Sequence, residues 1–211
     1  MKKLIKIFNS LGCVSEIYEG MATIFMLHRV NELEPRKLHS NDNLKISPEY
    51  LNNFIIELKN NGYEFISMDE LYSVLKTGKK VSKKIVITLD DGYKDNYNIA
   101  YPIFKKHNVP FTIYITTSFP DQNSILWWYL LEDLVIKEDE VCLKNGQKFK
   151  CLTREQKESS FLKIREIILK LDKDDFVKDL NYLFGNYDIN WYSKNKELTI
   201  NWEEIIELSN D

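Results

Sequence analysis

The stretch that most constrains this chain runs Lys84-Ile85-Val86-Ile87-Thr88-Leu89-Asp90-Asp91-Gly92. A β-branched run stops abruptly in two adjacent carboxylates and a glycine. From Tyr93 to His107 the apolar residues then fall mostly three and four apart, the spacing of a helix face. A buried strand therefore hands over to a helix at an acidic pair. Asp-Gly is also a strong hairpin signal, but a hairpin needs a second strand directly after the glycine, and none is written there. In parallel α/β proteins, sites are built at the carboxyl ends of strands. Two neighbouring acids in such a place are costly unless a cation or a proton relieves them.

The surrounding chain repeats the same alternation. Thr23 to Leu27 is an apolar run short enough for a strand buried on both faces, and it ends at His28-Arg29-Val30. Ser47-Pro48-Glu49 supplies an N-cap, a first-turn proline and a first-turn acid for a helix to about Asn60. A short strand at Tyr63 to Ile66 leads to a Ser67-capped helix ending near Lys76, and Pro110 to Thr116 reads as another buried strand. Strands alternating with helices imply parallel β/α units packed as a barrel or an open sheet. From Ile125 the rhythm changes. Trp127-Trp128-Tyr129 opens an apolar helix, and Asn145-Gly146 turns a hairpin between Val141 and Cys151. Thr153 to Gln156 has capping-box form and starts an amphipathic helix facing inward with Phe161, Ile164, Ile168 and Leu171. A two-residue hairpin loop pairs Cys142 with Phe149 and leaves Cys151 diagonal, a poor disulfide position. Cys13, Cys142 and Cys151 are therefore read as free thiols of a reducing compartment. The division expected is an amphipathic arm at 1–20, β/α units at 21–124, a mostly helical insertion at 125–198, and the start of a further unit at 199–211.

Composition narrows the class. At 44% hydrophobic and 29% charged residues with a net charge of −3, the chain reads as globular, with no bulk preference for nucleic acid or an anionic membrane. No span reaches the ~18 apolar residues of a transmembrane helix. Lys6 and Asn9 interrupt the apolar start, and no small-residue cleavage site follows, so a signal peptide is not expected. A cytoplasmic location is the reading, with envelope association as the alternative.

The motifs in order resemble one family. Thr88-Leu89-Asp90-Asp91-Gly92 is similar to the first motif of the polysaccharide deacetylases (NodB-like carbohydrate deacetylases), usually Thr-Phe-Asp-Asp-Gly. Leu27-His28-Arg29-Val30, Ser47-Pro48-Glu49, Phe65 to Leu71, Asp91 to Asn96, Pro110-Phe111-Thr112 and Trp127-Trp128 resemble segments that one bacterial subgroup carries in the same order. The resemblance implies the N-terminal part of an irregular (β/α) barrel of the glycoside hydrolase/deacetylase type. It also implies metal-dependent hydrolysis of acetyl groups on an acetylated glycan. Asp90 would be the general base and Asp91 a ligand of a divalent metal, zinc or similar. Gly92 would let both carboxylates face one cleft, and His28 and Tyr93 are further cleft candidates.

The family completes its metal site with a His-x-x-x-His motif soon after a Trp-Glu-Glu-Ile helix, which here is Trp202 to Ile205, and the sequence as given stops at Asp211. His28, His39 and His107 lie too far apart in the chain to replace that pair. The 211 residues are therefore expected neither to hold metal tightly nor to deacetylate. The alternative is a catalytically dead fragment or glycan-binding remnant in which Trp127, Trp128 and Tyr129 could stack on sugar rings, although core packing is the expected job of at least two of them. A glycosidase using the same two acids is a poor fit, because its carboxylates stand about 5–9.5 Å apart across a sugar. An unpaired sheet edge and an uncovered apolar face are expected to favour self-association.

Overall fold

The computed structural model describes residues 22–172 and 174–210; the expected N-terminal arm and Cys13 lie outside them. Six of its strands come before the change of rhythm at Ile125. They are β1 (Ala22–Leu27), β2 (Arg29–Val30), β3 (Lys45–Ile46), β4 (Glu64–Phe65), β5 (Lys84–Asp91) and β6 (Phe111–Ile115). β5 is the centre of a four-stranded parallel sheet. β1 runs beside it from Ala22↔Lys84 to Leu27↔Leu89, β4 meets its first two residues, and β6 pairs with its carboxyl half. β2 and β3 form a separate parallel pair.

Helices form where the caps predict. α1 (His39–Asp42) is a single turn. α2 (Pro48–Asn60) begins at Ser47, whose side chain accepts from the Tyr50 amide, and α3 (Met68–Thr77) begins with a reciprocal Ser67–Glu70 capping box. The helix after the acidic pair departs from the expected single α-helix. Asn96–Ala100 forms a wide π-helical turn before α4 (Tyr101–His107), with Pro102 in the first turn of α4. Wide turns of this kind gather at functional sites.

One face of the sheet is packed and the other is not. Phe25, Leu27, Ile85, Ile87, Leu89, Phe111 and Ile113 pack with Leu51 and Ile55 of α2 and Phe104 of α4. The opposite face is covered around Val86, by Ile66, Met68 and Leu71. Further along it, Ile24, Met26 and Tyr114 remain 51%, 59% and 52% exposed. The expectation that β1 is buried on both faces therefore fails at its alternate residues. The described architecture is mixed α/β with an open parallel sheet; the expectation was the N-terminal part of a (β/α) barrel, and no closed barrel forms among the described residues. β6 pairs only with β5 among them.

Residues 125–198 build α5 (Trp127–Lys137), the hairpin β7 (Glu140–Cys142) and β8 (Lys148–Lys150), α6 (Arg154–Ile168), α7 (Phe176–Leu183) and α8 (Asn195–Leu198). Their core joins Leu131, Val135, Phe161, Ile164, Ile168, Leu180 and Phe184, and takes in Leu38 from the loop after β2. Glu132 of α5 fixes that loop by accepting from the Leu38 amide at 2.7 Å. The hairpin register differs by one residue from expectation, with Cys142 opposite Lys148 and Val141 opposite Phe149. The Leu143 amide bonds to the Gln147 carbonyl, so three residues form the loop and Gly146 takes the left-handed position at φ 88°. Cys142 and Cys151 are free thiols. The last described helix, α9 (Trp202–Ser209), has an Asn201–Glu204 capping box. No helix among the described residues is long and apolar enough to cross a membrane.

Candidate active site

Alternation along a strand sends neighbouring side chains to opposite faces. Ile87 and Leu89 pack on the helix side, so Thr88 and Asp90 point to the open side. Asp91 would then be expected among the helices. Instead its backbone is left-handed at φ 73°, followed by Gly92 at φ 84°. Asp is among the few non-glycine residues found there with any frequency, and such conformations cost on the order of 1–3 kcal/mol and cluster at functional sites. The break in the pleat brings both carboxylates to one open cleft of about 570 Å³, lined also by Ile24, Met26, Met68, Thr88, Tyr114, Ile115 and Thr116. Gly92 alone was expected to make this turn, and the left-handed Asp91 is an equal part of it.

His28 sits on the same rim. Its Nε2 lies 4.0 Å from Asp90 Oδ2, beyond direct hydrogen bonding, and both side chains are partly exposed. Burial pushes the half-buried Asp91 carboxyl above its ordinary pKa; the His28 charge opposes this and Asp90 adds to it. Of the five sequence-based candidates, His28, Asp90, Asp91 and Gly92 are thus brought together. Tyr93 is not a cleft residue: it is 5% exposed, packed with Phe119, Leu126 and Tyr129. Trp127 and Tyr129 are buried too, in keeping with core packing as the expected job of at least two of the three rings. His107 bonds Asn52 at 2.8 Å, and the His39 amide donates to Glu158, both away from the rim.

Three residues to which sequence reasoning gave no part in the rim hold it from behind. Arg29 is buried, and its Nε and Nη2 both reach Asp95 Oδ2, at 2.7 and 2.6 Å. Its Nη1 donates to the Tyr129 hydroxyl. These partners are 66 and 100 residues away, so no local pattern could pair them; the only hint was that both flanking segments belong to the resemblance.

Of the metal ligands that the resemblance implies, the cleft contains one, Asp91, beside the Asp90 carboxylate and with His28 on its rim. No group of three His, Cys, Asp or Glu side chains able to hold a metal occurs among the described residues. The ligand set implied by the resemblance is therefore not complete among the described residues.

Comparison with known proteins agrees with the motif series. Residues 77–199 match the profile of the family described as polysaccharide deacetylase. YxkH of Bacillus subtilis, named for a polysaccharide deacetylase, is 35% identical over 79 residues, 37% of this chain and 28% of that protein. The poly-beta-1,6-N-acetyl-D-glucosamine N-deacetylase of Staphylococcus aureus is 27% identical over 150 residues, 69% of this chain and 50% of its own length. The chain thus spans about half the length of these curated relatives, or less. Among solved structures, Streptococcus pyogenes deacetylase PplD in complex with acetate is 30% identical, with 50% of this chain and 47% of that one covered and a TM-score of 0.45.

Proposed function

This chain belongs to the polysaccharide deacetylase family, and from that premise we propose that its acidic pair serves hydrolysis of N-acetyl groups on an amino-sugar glycan. Asp90 is the general base and Asp91 a ligand of a divalent metal. The observation that carries this reading is the shared cleft: two sequence neighbours that a regular strand would point apart line one hollow. A metal bound at such a site supplies a Lewis acid that polarises the acetyl carbonyl and acidifies water. Asp90, on the open face beside the exposed Tyr114, is placed to take the proton of an attacking water. His28 stands on the same rim, its Nε2 4.0 Å from Asp90 Oδ2. A sheet carrying helices on one face only is how a (β/α) barrel wall is built, and the barrel stays part of this proposal.

Asp91 provides the test, because its two roles pull in opposite directions. A carboxyl whose folded pKa is raised stabilises the fold below its unfolded pKa, and that stability is lost as pH rises through the folded value. Asp91→Asn keeps a residue tolerant of left-handed backbone and removes the charge. It is expected to melt higher than the parent at neutral pH, with the difference vanishing in acid. Isothermal titration with cobalt should show weak binding to the 211-residue chain, abolished by Asp91→Asn. Micromolar binding would overturn the one-donor reading, and binding indifferent to Asp91→Asn would overturn the ligand assignment. No acetate release from N-acetylglucosamine oligomers is expected of these residues alone; release that Asp90→Asn abolishes would refute the inactivity and support the base.

Self-association through the open sheet face belongs to the same reading. Sedimentation velocity at rising concentration should show oligomers that Met26→Glu disperses. A monodisperse parent over the whole range would sink it.

A further inference from the structure

We propose that Arg29 is a positioning residue through which helix α5 of the insertion sets the geometry of the carboxylate rim. The proposal rests on the rim being the working site, and its geometry can be measured without metal or substrate.

Two chain segments converge on this guanidinium. On one side is the end of β1 with its histidine: the His28 carbonyl accepts from Asn96 Nδ2 at 2.9 Å, and the Val30 amide reaches Asp95 Oδ1 at 3.4 Å. On the other side is the segment that follows the acidic pair, from which Asp95 takes two of the guanidinium N–H groups on one oxygen. Tyr93, directly after Gly92, lies face-on to the guanidinium with its ring centroid 4.5 Å away. The strand end that carries His28 and the turn that carries Asp90 and Asp91 are therefore bound to each other through one buried side chain.

The third contact comes from elsewhere in the chain. Tyr129 of α5 accepts from Arg29 Nη1, and its own ring stands 5.3 Å from the guanidinium and edge-on to Tyr93 at 6.3 Å. A planar fork with donors on three nitrogens can face Asp95, Tyr129 and the Tyr93 ring at once, which the point charge of a lysine cannot do. A displacement of α5 thus reaches the rim through rigid, desolvated contacts.

Tyr129→Phe is the informative variant, because it keeps the ring and the packing and deletes one hydroxyl. With backbone and histidine side-chain NMR, the His28 imidazole and the Asp90, Asp91 and Gly92 amides are expected to shift. Ile55 and Phe104, in the sheet's helix-side core, are expected to stay in place. Arg29→Lys should move the same rim signals in the same direction rather than rescue them. A folded Tyr129→Phe protein with unchanged rim signals, or with shifts confined to groups touching residue 129, would overturn the proposal. That outcome is separate from failure of the deacetylase reading, which the cobalt titration decides.

Discussion

Arg29→Met is expected to lose about 3–5 kcal/mol of stability, the usual cost of removing one partner from a buried ion pair. The guanidinium and the Asp95 carboxylate are both nearly inaccessible, 6% and 4% exposed, so the remaining charge has no route to water. Burial by itself would lower the Arg29 pKa, but the charge of Asp95 and the bond to Tyr129 outweigh it and hold the group firmly ionised. In a domain of 150–250 residues each kcal/mol is worth ~2–4 °C, so the melting point should fall by roughly 6–20 °C. The double variant Arg29→Met, Asp95→Leu should recover much of that loss, since it removes the stranded charge as well as the pair. Urea unfolding of the three proteins measures both. A single-variant loss below about 1 kcal/mol, the range of exposed pairs, would mean that water reaches the pair.

Gly92→Ala is expected to cost about 2–5 kcal/mol from two sources. A left-handed backbone at φ 84° carries ~1–2 kcal/mol once a Cβ is present. The new Cβ would also stand 3.2 Å from Ile200 Cγ2 and 3.4 Å from Ile115 Cγ2, where overpacking adds ~1–3 kcal/mol. Gly146 is an internal control. Its φ is 88°, but a Cβ there meets nothing within 4 Å. Gly146→Ala should therefore show the backbone cost alone, and the difference between the two variants isolates the contact. Equal losses would show that Ile200 and Ile115 yield freely. The contact matters to the site because the Ile200 amide donates to the Gly92 carbonyl at 3.1 Å, clamping the turn behind the carboxylates.

Local elements were readable wherever a signal was short-range. Ser47, Ser67 and Thr153 all cap helices as their side chains and spacing imply, because a cap is decided within one turn. The hairpin was placed correctly but paired one residue off, since Asn145-Gly146 suits both a two-residue loop and the three-residue loop that formed. β1 read as buried on both faces because an apolar run does not say whether a second layer covers it.

The amino-acid sequence alone determined the family, the strand-to-helix handover and the two aspartates at it, because each is written in adjacent residues. Only the tertiary structure decided that Asp91 turns against the strand's alternation into the cleft, that Tyr93 and Tyr129 face inward, and that Arg29 binds both sides of the rim. The physical reason is range: the left-handed turn at Asp91 and Gly92 is tied by the Thr116 and Ile200 amides, which donate to the Asp91 and Gly92 carbonyls, and a buried charge is matched by partners 66 and 100 positions away. Neither leaves a periodic trace along the chain.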